Sequence, residues 1–355
     1  MRGPADAPQT TPARGAAGSA PFARLGLLGG LVAILLATAI VSLTIGRFSL
    51  PPLTIIDILL SQVTDREVYW SRYEELVVLN VRGPRVVAAI LVGAALAVAG
   101  ASYQSLFRNP LASPDILGVS AGAAFGASLG IICGLAHSIV QALAFGFGLL
   151  AVGICFMIGT LINRHSVIML VLAGIIVASF FSALLSILKI VADPVDVLPV
   201  ITFWLLGGLN RVTADAIPMA LILISLSIAV VVAIRWQVTV VSGGHEEARS
   251  LGVNTSAIQI ALVMAATLMT ATAVSVAGTV GWVGLIVPHM GRLLAGGSFH
   301  STLLVTALLG AVFLLVVDDL CRASSAMELP LSIVTALLGA PIFALLLFRQ
   351  RDAIT

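Results

Sequence analysis

The sequence predicts an all-α, polytopic membrane protein with about ten transmembrane helices, and three observations carry that expectation. Of its 355 residues, 59% are hydrophobic and 10% charged, against about 25% charged residues in a soluble domain. Mean hydropathy is +1.13. Apolar runs of roughly 20 residues, the length that crosses about 30 Å of hydrocarbon as a helix, recur from Leu25 to Phe348. They are continuous rather than alternating, which excludes a β-barrel.

Residues 1–22 begin with a stretch rich in Ala, Pro, Gly and Thr and free of apolar runs. Such a composition buries too little surface to order itself, so a disordered cytosolic tail is expected, followed by one transmembrane domain over 23–355. The first apolar run, 25–46, is too long for a signal-peptide core and reads as a retained helix. A more polar segment, Arg47 to Val81, joins it to the second helix at 84–107. Further spans are expected at 114–134, 138–162, 166–190, 213–235, 257–276, 280–296, 301–321 and 331–348. Val195 to Leu206 predicts a half-helix that does not cross. An even number of spans puts both ends on one side. Arginines before the first helix, and Asp57, Asp65, Glu67, Glu74 and Glu75 in the loop beyond it, make that side the cytosol. Glycine and alanine throughout the helices predict close backbone packing.

Several chemistries are disfavoured. Cys133, Cys155 and Cys321 lie far apart and form no CxxC pair, and no histidine belongs to a metal-spaced cluster. No metal, cofactor or catalytic constellation is expected, and His289 reads as a packing residue. The formal charge of +2 makes no basic block, which argues against nucleic acid. Lys189 is the only lysine, so the chain has no phosphate-binding loop of its own. Active transport would need a separate ATPase or an ion gradient. Asp318, Asp319 and Lys189 fall near predicted helix ends, where snorkelling or interfacial solvation is expected, so a gradient-driven carrier is the weaker alternative.

Two groups of residues stand out. Arg82, Arg85 and Arg322 all fall on the outer side. Singly they would snorkel to headgroups; together they would suit paired carboxylates on a docking protein. The cytosolic segment VVSGGHEEARSLGVNTS breaks the apolar pattern and restarts it, as an ordinary polar loop would or as a short surface helix with Ala248 and Leu251 as contacts for a soluble partner.

RGPRVVAAILVGAALAVAGASYQSLFRNPLASPDILGVSAGAAFG from Arg82, ITFWLLGGLN from Ile201, GGHEEARSLGV from Gly243, AGTVGWVGLIVPHMGRLLAG from Ala277 and ELPLSIVTALLGAPIFALLL from Glu328 occur in this order. Together they resemble the permease subunits of type II ABC importers for iron-siderophore complexes, haem and cobalamin. The resemblance implies that importer's permease fold: ten helices, assembled as a homodimer or heterodimer in the bacterial inner membrane, with two ATPase subunits inside and a binding protein outside. It implies that Arg82, Arg85 and Arg322 dock the binding protein, and that Asn109 and Leu111 lie at a cytosolic gate. Gly244, Glu246, Ala248, Leu251 and Gly252 would seat on the ATPase. A molybdate-like oxyanion is the alternative substrate. The chain departs from the family pattern at Gly278 to Trp282, GTVGW where GPIGF is common. It departs again at Gly297-Ser298-Phe299-His300-Ser301, where an Asp-His-Arg run is usual.

Overall fold

The computed structural model describes residues 21–46, 50–64, 67–163, 167–324 and 328–354. The expected tail lies outside the described residues up to position 20, and helix begins at Pro21. In chain order the helices are α1 (Pro21–Thr44), α2 (Pro52–Ser61), α3 (Arg72–Leu76), α4 (Gly83–Leu106) and α5 (Val119–Ile132). They continue with α6 (His137–Asn163), α7 (Val167–Val191), α8 (Val197–Leu205), α9 (Ile217–Ala233) and α10 (Arg235–Gly243). The last are α11 (His245–Ser250), α12 (Thr255–Ala277), α13 (Val283–Ala295), α14 (Phe299–Ala323) and α15 (Leu331–Ile354).

Among the described residues seven helices are long and apolar enough to cross a membrane: α1, the continuous stretch Arg72–Leu106, α6, α7, Ala214–Ala233, α12 and α14. The spans expected at 114–134 and 280–296 are shorter, α5 having 14 residues and α13 having 13. At 1.5 Å per residue each is only about 20 Å long. Ser113 and Pro114 open a separate 3₁₀ turn before α5, and Gly278 to Trp282 stay outside α13. The half-helix expected near 195–206 is α8. The segment from 47 to 81 carries more structure than its polarity suggested. It holds α2, then α3 with a Ser71/Glu74 capping box, then a widened π turn over Val77–Arg82.

That turn has a local cause. Pro84 has no N–H to give the preceding turn, and its ring would press on the carbonyl four residues back. Widening relieves both, and the Gly83 N–H reaches the Val78 carbonyl instead.

The helix then runs inward as the centre of the molecule. The Arg72–Leu106 span is 83% buried and α12 is 78% buried, while the α1 span is 11% buried and faces lipid. The central packing depends on small residues. A Cβ at Gly93 would strike the Gly310 carbonyl of α14, and one at Gly100 would strike the Gly284 carbonyl of α13. In lipid, where burial gives no hydrophobic push, such close backbone approach supplies van der Waals contact. The Tyr103 hydroxyl lies 3.1 Å from Thr267 Oγ1 on α12, and Gln104 Nε2 donates to the Gly284 and Leu285 carbonyls on α13 at 3.3 and 3.1 Å.

Candidate docking mouth and coupling face

At one end of the bundle α1 finishes, α4 begins and α14 finishes, and there the three arginines meet acids and carbonyls of their own chain. Arg85 donates to Asp318 from Nε (2.9 Å to Oδ2) and Nη2 (2.8 Å to Oδ1). Its Nη1 donates to both oxygens of Glu328, at 3.1 and 2.9 Å. Arg322 reaches Asp318 Oδ2 at 3.3 Å and pairs with Asp319. Ser42 Oγ donates to Asp319 Oδ1 at 2.7 Å. The exposed end carbonyls of α1 are also satisfied: Arg82 Nη1 donates to Leu43 O (2.7 Å) and Thr44 O (3.2 Å), and Arg322 Nη1 donates to Ile45 O (2.9 Å). Cations at a helix C-terminus answer both the orphan carbonyls and the dipole.

The solvated acids expected at positions 318 and 319 are therefore corrected. Asp318 is 0% exposed and Asp319 8%, because α14 turns both toward α1 and α4 rather than toward headgroups. The arginines differ from the expected free interfacial side chains for the same reason, Arg82 being 5% and Arg85 8% exposed. Glu328, whose side chain is 29% exposed, is the most open member of the cluster.

Beside this network the segments around Gly207, Gly278 and Leu331 are stitched by backbone bonds, Gly208 N to Ala277 O (2.8 Å), Leu331 N to Gly207 O (3.1 Å) and Ser332 N to Leu206 O (3.1 Å). They wall a cavity of about 50 Å³ lined by Arg85, His137, Asn210, Arg211, Asp318 and Glu328, among others. Burial holds the Arg211 guanidinium below its usual range.

At the opposite end, α11 is a single short helix closed by a Schellman turn. Gly252 N–H donates to Arg249 O (2.9 Å) and Val253 N–H to Ala248 O (2.9 Å), with Gly252 at φ +77. The apolar contact that accompanies this motif joins Val253 and Ala248, which pack together with Val241. Ala248 is 0% exposed, so its expected role as a partner contact is corrected: it points into its own chain and seats the helix. Glu246, Glu247, Arg249 and Leu251 are exposed, Leu251 at 63%. Gly244 holds an extended backbone at the junction of α10 and α11.

Between these two ends lies the loop after α4. Arg108 takes φ 47 at the helix end, where Asn109 N–H reaches back to Gln104 O at 3.1 Å. Asn109 Oδ1 then accepts the Leu111 N–H at 2.9 Å, and both residues are exposed. Arg108 Nη2 donates to Val241 O at 2.9 Å, tying this loop to the last turn of α10 beside α11. A cavity of about 150 Å³ lies next to the loop, lined by Ser113, Pro114, Asp115, Gly281 and Trp282, among others. Trp282 sits at φ 70, a conformation that bulky residues rarely take, with a three-residue turn closed from Val283 N to Gly281 O at 2.9 Å.

The model of the FecCD transport family matches residues 34–349. The chain belongs to that family. FecCD proteins are the permease subunits of metal-chelate-type ABC importers, so this chain is the permease and ATP hydrolysis belongs to a separate subunit. The gradient-driven alternative is thereby set aside. A molybdate import system permease of Haemophilus influenzae is 37% identical over 327 residues, covering 92% of this chain and 96% of its own length. A cobalamin import system permease of Halobacterium salinarum is 39% identical over 279 residues, covering 78% of this chain and 74% of its own. Among solved structures, an inward-facing metal-chelate type ABC transporter superposes with a TM-score of 0.81 at 34% identity, covering 92% of this chain and 99% of that one.

In this FecCD permease the sequence reading missed Asp318, Asp319, Glu328 and Ser42 as partners of the arginines, and Arg108 as the link to Val241. One signal was available: Asp318, Asp319 and Arg322 stand at i, i+3 and i+4 spacing on one helix.

Proposed function

We propose that two copies of this permease line a pathway in the bacterial inner membrane, that a binding protein docks over Arg82, Arg85 and Arg322, and that an ATPase dimer seats on α11. Both termini would then be cytosolic and ten helices would surround the path, with α5, α13 and α15 completing the seven long spans. The observation that carries this reading is the division of labour between the ends of the bundle. One end gathers arginines and carboxylates around the partly open Glu328. The other presents an α11 that is rigidly capped yet exposes Glu246, Glu247, Arg249 and Leu251. Carboxylates of a docking protein could compete with Glu328 for Arg85, since both would use the same charge-assisted bonds. Asn109 and Leu111, exposed beside the Arg108 link, fit a gate that closes against its symmetry mate.

For the substrate we favour a metal chelate, the class carried by relatives named for iron chelates, iron(3+)-hydroxamate, hemin and cobalamin. The molybdate permease from Haemophilus influenzae, similar over 92% of this chain, supports an oxyanion as the second reading. The test is ATP-dependent uptake into vesicles holding the permease, its ATPase and its binding protein, with ferric hydroxamate, hemin, cobalamin and molybdate offered in turn. Uptake of a chelate supports the first reading, and molybdate alone supports the second. Uptake that proceeds without the ATPase would refute the importer assignment.

A further inference from the structure

At the end of the bundle that carries α11, three cationic side chains converge from three helices. Arg24 lies in the first turns of α1, Arg235 opens α10 and His300 stands in the first turn of α14. The approach is built by packing and hydrogen bonds. Leu27, Leu28 and Leu31 of α1 pack with Ala295 of α13 and Val305, Leu308 and Leu309 of α14. The His300 N–H donates to Thr239 Oγ1 at 3.0 Å, and Thr239 stands one turn along α10 from Arg235, whose carbonyl accepts its hydroxyl at 2.9 Å. Both guanidinium groups act electrostatically on the His300 imidazole.

None of the three has an acid partner among the described residues. Two of their polar atoms, Arg24 Nε and His300 Nδ1, are buried with no hydrogen-bond partner there. Like charges held together and partly desolvated are costly unless an anion joins them. The usual Asp-His-Arg run of this loop would have brought a carboxylate; here Gly297 to Ser301 brings none.

The surroundings identify the anion. Leu25, next to Arg24, is 72% exposed, on a helix whose outer surface is apolar. Trp236, next to Arg235, is 53% exposed, as amphipathic rings are where hydrocarbon meets headgroups. An ATPase surface would meet α11; this cluster opens beside the lipid-facing flank of α1. We propose that Arg24, Arg235 and His300 form a binding site for the phosphate of an anionic phospholipid, held by charge-assisted bonds from two guanidinium forks and an imidazole.

The test is native mass spectrometry of the full chain, purified in detergent and offered phosphatidylglycerol or phosphatidylcholine. The wild type should retain phosphatidylglycerol in preference, and each of Arg24→Gln and Arg235→Gln should weaken retention about fivefold, as expected for one basic residue at a membrane surface. The Arg211→Gln variant, at the opposite end, should keep the preference. Should either single variant fail to fold, His300→Gln gives the same readout. Equal retention of the two lipids by the wild type, or unchanged preference in the variants, would overturn the proposal. Inorganic phosphate protecting against thermal unfolding as well as phosphatidylglycerol does would reassign the site to a soluble anion. Loss of the ATPase from the variants in phosphatidylcholine alone would reassign it to an acidic protein surface.

Discussion

Arg85 and Asp318, 233 positions apart in sequence, are joined by a two-pronged ion pair through the Arg85 Nε and Nη2 atoms, with Asp318 wholly buried. Both charges have left water, so each depends on the other. Replacing Asp318 by Asn should destabilise the detergent-solubilised protein by about 3–5 kcal/mol, since an uncompensated guanidinium stays behind. Glu328→Gln should cost less than about 1 kcal/mol, because its side chain is 29% exposed and solvent screens the pair. Thermal unfolding of the two variants side by side checks the ranking.

If docking uses the same arginine, Glu328→Gln should tighten association with the binding protein and Arg85→Glu should weaken it. Removing one partner of a desolvated charge pair costs about 2–5 kcal/mol at an interface. Affinity measured at low and moderate salt reads both effects. Unchanged binding in the two variants would remove Arg85 from the docking surface.

On the coupling face, Leu251→Glu should lower ATP-driven transport while leaving the melting temperature unchanged, because Leu251 is 63% exposed. Ala248→Glu should instead unfold the α11 region by forcing a carboxylate into the contact with Val241 and Val253. Gly252→Ala, at φ +77 with open space around it, should cost about 1–2 kcal/mol from backbone strain alone. Transport, ATPase activity and melting, measured together on each variant, separate seating from structure.

For the centre of the bundle, Gly93→Val should be poorly tolerated. Its side chain would have to enter the space of the Gly310 carbonyl, and overpacking typically costs about 1–3 kcal/mol. Gly146→Val, where nothing approaches, should be nearly neutral. Yield and melting temperature of the two variants provide the comparison.

At the gate, a single cysteine at Leu111, 56% exposed, should cross-link two protomers in a state closed to the cytosol. Cross-links that never form, with the position labelled only by lipid-soluble reagents, would place it away from the dimer axis.

The long spans were legible because hydropathy over 20 residues is a sum that local chemistry barely disturbs. The Schellman end of α11 was half legible: Gly252 marks a stop, but the inward turn of Ala248 follows from Val253 folding back on it. Helix α2 was lost because PLTIIDILLS is apolar yet only 10 residues long, and it sat inside a stretch judged by its charges. The ion cluster was illegible for another reason. Hydropathy reports how far along a helix Asp318 lies and says nothing of which neighbour it faces, and its partners come from α4 and from the segment before α15. Only the Asp318-Asp319-Arg322 spacing hinted that these charges serve one another.

The widened turn over Val77–Arg82 also sets a rotational phase. A helix advances about 100° per residue, so one surplus residue swivels everything before Gly83 relative to everything after it. Arg85 keeps time with α4 and meets Asp318, whereas Arg82 keeps time with the preceding segment and meets the end of α1. Regularising the turn by deleting one residue would put those two clocks in step and take Arg82 off the α1 carbonyls, with Arg85 left in place. The two arginines of RGPR, three positions apart on paper, are thus set independently, and a single-residue insertion or deletion upstream of Gly83 can re-aim one without moving the other.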